Sequence, residues 1–102
     1  MFLTVEDYKD HIRLEQDDYD FERELPRFLQ AAENTVLKYI NRNVFTELPA
    51  EPESTDILID ANIETAILDV AGYYFDNKGA YDNDMVNSIL DASVGHLRVI
   101  EV

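Results

Sequence analysis

The amino-acid sequence predicts an all-α protein: a small bundle of four helices (short, long, long, short) with an acidic connecting loop and a short extended C-terminal tail. Three observations predict it. Apolar residues recur at spacings of three and four in four separate stretches, the period of a helix that buries one face. Glycine and proline are scarce, at three each, so few positions interrupt those stretches. Apolar residues make up 46% of the 102 positions, enough to build a core without metal or disulfide staples. On size, residues 1–102 read as one helical domain.

The first helix is expected over residues 4–13. Thr4 can cap it with Asp7 three residues on, and Val5, Tyr8 and Ile12 follow at helical spacing. Gln16-Asp17-Asp18 then reads as a turn that gives the next helix an acidic start. That second helix carries the strongest stripe: Phe21, Leu25, Phe28, Leu29, Ala32, Val36, Tyr39 and Ile40, with Glu22, Arg23, Arg27, Glu33, Asn34 and Lys38 facing away. From Asp18 to Asn41 it would run roughly 36 Å. Pro26 lies inside this span, and because the stripe crosses it without a phase change, a kink is expected there. The other possibility is a helix beginning near Leu25 with Pro26 in its first turn.

Residues 43–55, with Pro49, Pro52 and several acids, show no periodicity and read as a long loop. The third helix carries Ile59, Ile63, Ala66, Ile67, Val70, Ala71 and Tyr74, and Ser54, Thr55 or Asp56 could each cap it. Gly72 within it suggests close approach by a neighbouring helix or subunit. Asp76-Asn77-Lys78-Gly79 supplies the stop, with Gly79 suited to a left-handed cap. A short fourth helix, capped by Asp82 or Asn83, carries Met85, Val86, Ile89, Leu90 and Val94 and ends at Gly95. The tail from His96 to Val102 is apolar, β-branched and too short to be a helix of its own.

Charge and motifs narrow the function. With 22 acids against 8 bases, the net charge is −14, which opposes binding to phosphate backbones and anionic lipids. There is no cysteine, hence no disulfide, thiolate nucleophile or Cys-based zinc site. The start Met-Phe-Leu-Thr-Val-Glu-Asp lacks a basic region and a long apolar run, so no signal peptide is expected, and no stretch is apolar enough for a membrane span. His11 and His96 stand at opposite ends of the chain, with no partner at metal-site spacing. The acids and amides at 76–84 lack the glycine and glutamate positions of an EF-hand. No phosphate loop or nucleophile elbow occurs. The sequence therefore points away from an enzyme, and no cofactor or metal is expected. Tyr73-Tyr74-Phe75 cannot form one stacking platform, since consecutive helical residues point about 100° apart. Tyr74 is expected in the core, with Tyr73 or Phe75 at a rim or subunit interface.

The order of these segments resembles the head–tail connector (adaptor) family of tailed phages. Leu3-Thr4-Val5-Glu6-Asp7-Tyr8-Lys9-Asp10-His11-Ile12-Arg13 is similar to the short opening helix of that family, followed by the acidic turn Gln16-Asp17-Asp18-Tyr19-Asp20. Ala31-Ala32 and Tyr39-Ile40-Asn41-Arg42 resemble the middle and end of its long helix. The run from Ala66 to Ala80 resembles its third helix, and Val86 through Leu90 to Leu97-Arg98 its closing segment. Two departures stand out: the strong acidity, and the length of Asp91–His96 before the terminal arginine.

The resemblance implies a subunit without catalysis. It would assemble as a ring, usually of twelve copies, beneath the portal protein, in the virion neck after assembly in the host bacterial cytoplasm. The ring would extend the DNA channel, letting DNA pass without specific binding, and would receive stopper or tail-completion proteins. On this reading the tail residues Leu97, Arg98, Val99, Ile100 and Val102 are candidates for portal docking. Phe45, Leu48, Tyr73, Phe75 and Tyr81 are candidates for the contact between neighbouring copies, because closed rings need two different side patches. The acids would keep DNA from adhering to the lumen. The alternative is an acidic DNA mimic or inhibitor that binds a basic DNA-binding protein.

Overall fold

A computed structural model of the chain describes residues 2–17, 19–78 and 80–99. Its elements in order are α1 (Val5–His11), α2 (Glu24–Ile40), β1 (Val44–Phe45), β2 (Ile57–Leu58), α3 (Ala61–Asp76), α4 (Asn83–Val94) and a 3-10 turn (Gly95–Leu97). The four expected helices are present. The two-residue strands, paired in parallel, were not expected.

Helix α1 starts as the sequence indicates. The Asp7 N–H donates to Thr4 Oγ1 at 3.2 Å, and the Thr4 N–H donates to Asp7 Oδ2 at 3.0 Å. It stops at His11 rather than Arg13, because Arg13 turns the chain through the left-handed region (φ 59°). Tyr8 is fully buried, and its hydroxyl donates to the Ala71 carbonyl on α3. Burial, aided by Tyr81 and the Asp76 carboxylate, pushes this phenol well above its ordinary pKa.

The expected kink at Pro26 is absent. Helix α2 begins at Glu24, so Pro26 occupies the first turn, where its missing N–H would have had no intrahelical partner. The stripe crosses Pro26 because the preceding turn is nearly helical. Arg23 has φ −86° and ψ −36°, and the Leu25 N–H donates to the Phe21 carbonyl at 3.0 Å. Phe21 thus stays on the core side without belonging to the helix. Glu33, expected to face away, is instead 6% exposed, because the N-terminal segment lies over it and the Phe2 N–H donates to Glu33 Oε2 at 3.3 Å. Asn41 closes α2 in the left-handed conformation (φ 57°, ψ 40°).

The loop after α2 is pinched at its base. The Ile57 N–H donates to the Asn43 carbonyl at 3.0 Å, and the Ile59 N–H to the Phe45 carbonyl at 2.8 Å. Helix α3 is capped by Asp60, whose Oδ1 accepts from the Ile63 N–H at 2.9 Å, and not by Ser54, Thr55 or Asp56. Ile59 packs on the core from outside the helix. Asp56 braces the loop instead, accepting from the Glu53 N–H at 2.9 Å and from Asn43 Nδ2 at 3.3 Å.

The core lies where α2 and α3 face each other. Leu25, Leu29, Ala32, Val36, Ile40, Ile63, Ala66, Ile67, Val70 and Ala71 are fully buried. A Cβ on Gly72 would meet Ile12 Cγ2 at 3.6 Å, an ordinary contact, so the neighbour at this glycine is the end of α1 in the same chain. Gly79 lies outside the described residues. Asp82 caps α4, accepting from the Asp84 N–H at 2.9 Å, and Val86, Leu90 and Val94 point inward while Met85, placed in the stripe by its spacing, is exposed. The tail is less extended than expected: Gly95–Leu97 form the 3-10 turn, and only from Arg98 does the chain straighten. The Val99 N–H then donates to the Ile40 carbonyl at 2.9 Å. The molecule measures 43 × 31 × 18 Å. Its thin dimension is less than two helix diameters of about 10–12 Å each, which leaves the helices with outward faces.

Candidate assembly surfaces

The candidate residues fall into separate places. Tyr73 and Tyr81 come together with Tyr74: the Tyr74 and Tyr81 rings lie 4.6 Å apart, those of Tyr73 and Tyr81 6.4 Å apart. The Asp82 N–H donates to the Tyr73 hydroxyl at 2.9 Å, which ties this cluster to the cap of α4. Tyr81 keeps 44% of its surface exposed. Phe75 points elsewhere, edge-on to Phe21 at 5.0 Å, with the Lys78 ammonium 4.0 Å and 4.4 Å from the two ring centroids. Phe45 is half-buried in β1, while Leu48 is 42% exposed in the loop. The five residues expected at a subunit contact therefore divide into three patches.

The tail candidates form a fourth. Leu97 is half-buried against the core, and the Arg98 guanidinium lies 4.6 Å over the Tyr39 ring. Val99 is fixed to the end of α2 from both sides, since Asn41 Nδ2 also donates to its carbonyl at 3.2 Å. Ile100 and Val102 lie outside the described residues.

Sequence reasoning did not find a groove of ≈ 400 Å³ between α2 and α4 lined by Thr35, Lys38, Tyr39, Asn87, Leu90 and Arg98. Tyr39 was assigned to the core stripe. It packs half-buried against the core as that stripe implies, and its hydroxyl donates to the Asp91 carboxylate, a bond that raises the phenol pKa, with burial adding to the rise and Arg98 opposing it. No sequence signal could have found the groove, because Lys38 and Arg98 are 60 positions apart.

Charge is arranged unevenly. Between Asn43 and Asn77 the chain holds Glu47, Glu51, Glu53, Asp56, Asp60, Glu64, Asp69 and Asp76 but no Lys or Arg. Among the described residues, Arg23, Arg27, Lys38 and Arg98 make no ion pair with a carboxylate, and His11 Nε2 meets Asp69 Oδ1 at 2.9 Å. The described residues contain no group of three or more His, Asp or Glu placed to hold a metal ion, and no helix long and apolar enough to cross a membrane.

A thin helical body with outward aromatics and outward cations defines a class, a small all-α protein. Residues 2–97 match the family model of the phage gp6-like head-tail connector protein, and the chain belongs to that family. It is thus a structural component of the phage virion, at the junction of head and tail. No curated protein and no solved structure matches it.

Proposed function

We propose that this chain, acting as one unit over residues 1–102, is a non-catalytic subunit of a connector ring. The ring docks beneath the portal protein, extends the DNA channel and receives a stopper or tail-completion protein. The observation that carries this reading is the family match across residues 2–97. The thin shape supports it, because helices with free outward faces can meet two different neighbours. The acidity suits a lumen through which DNA slides, since carboxylates repel phosphates. Family membership leaves the DNA-mimic reading without an observation of its own.

The tail is the proposed portal contact. Leu97 packs on the core and Val99 is pinned to α2, so the tail is anchored to the body as far as Val99. Removing residues 97–102 should abolish binding to the portal protein of the same phage while leaving the far-ultraviolet circular dichroism unchanged. Undiminished binding in analytical ultracentrifugation would refute the contact, and failure of the full chain to bind any portal ring would refute the connector reading.

A further inference from the structure

We propose that the groove between α2 and α4 receives the acidic loop 46–56 of a second copy of this chain. The inference rests on the connector reading, which supplies many identical copies side by side, and it names the surfaces by which they meet.

The groove is a cationic site on an acidic molecule. Lys38 and Arg98 stand on its rim without carboxylate partners among the described residues, and Leu90, 1% exposed, forms its floor. Arg98 is held in place by stacking on the Tyr39 ring at 4.6 Å. Tyr39 is in turn held by its bond to Asp91, the acid at the groove's edge. One carboxylate, already engaged by a hydroxyl, does not neutralise two cations.

The loop is the complementary surface. Residues 46–54 are all exposed and include Glu47, Glu51 and Glu53. Leu48, between Glu47 and Pro49, exposes 42% of its surface. The base is clamped by the β1–β2 bonds and by Asp56, and Pro49 and Pro52 restrict the chain between. A loop ordered in advance loses less entropy on binding. Its own stretch offers no cation from Asn43 to Asn77, and no hydrogen bond or ion pair among the described residues joins residues 46–54 to Lys38 or Arg98. Carboxylates of the loop can accept charge-assisted bonds from Lys38 and Arg98, while Leu48 packs against the Tyr39 ring. Loop and groove are different surfaces, so each copy gives one and receives one, and the contact propagates from copy to copy.

The chain has no cysteine, so an engineered pair reports cleanly. In the double variant Glu51→Cys/Asn87→Cys, oxidation at high protein concentration should give a ladder of disulfide-linked multimers. Adding Lys38→Glu should cut the ladder about tenfold or more. A disulfide formed only within one chain, no ladder at millimolar protein, or a ladder indifferent to Lys38→Glu would each overturn the proposal. Portal-bound rings that form as usual with Lys38→Glu would sink this contact and leave the connector reading standing. A wild-type chain that binds no portal would sink that reading instead.

Discussion

The helical body and the segment from Asn43 to Asp60 are held together by different physics. In the body, α2 and α3 close over side chains with no exposed surface, and the hydrophobic effect does the holding. In the segment, two ladder bonds and the bonds of Asp56 hold a loop whose residues 46–54 are all in water. The body holds most of the buried surface, and the segment presents an exposed loop that carries acids and no base. A protein divided this way can change its contact chemistry without endangering its core.

The largest effect that tests this division is in the body. Leu29→Ala, at a fully buried position, should cost about 2–5 kcal/mol in urea unfolding. A loss under about 1 kcal/mol would mean that the α2–α3 seam is not what holds the molecule. Next in size is Tyr8→Phe, which deletes the hydroxyl bonded to the Ala71 carbonyl and should cost about 1 kcal/mol near neutral pH. This phenol's pKa is raised in the folded state, so the unfolded chain sheds its proton first as pH passes about 10. The stability it supports is therefore whole below that pH and declines above it. Urea midpoints at about pH 8 and about pH 11 should differ less in Tyr8→Phe than in the wild type.

The smallest effect belongs to the segment. Asp56→Ala removes both braces of the loop, yet the unfolding midpoint should move by no more than about 0.5 kcal/mol. Amide exchange at Glu53 and Ile57 should quicken all the same. A global loss as large as that of Leu29→Ala would erase the distinction between the two regions.

The parts legible in the sequence were those set by local chemistry. Thr4 and Asp82 act as caps through their own side chains, and the stripes of α2 and α3 mark buried faces by period alone. Where the reading failed, distant chain intervened. Glu33 is covered by the N-terminal segment, which a helical wheel does not contain. Ile59 lies four positions before Ile63, a spacing that continues the stripe of α3, so the start of that helix looked earlier than it is, and the strand just before it was hidden. Pro26 was ambiguous because a near-helical turn keeps the same phase as a helix. The candidate groove was out of reach altogether, since it exists only once α4 lies against α2 and brings Arg98 to Tyr39.

The bond from Val99 to Ile40 has a mechanical meaning. Tension applied at Val99 would be shared between the covalent chain through the 3-10 turn and the two bonds that tie Val99 to the Ile40 carbonyl and the Asn41 amide at the end of α2. Ile40 is itself fully buried, so a pull there is shared with the whole interior. A tether anchored in this manner would pass part of any load directly to α2.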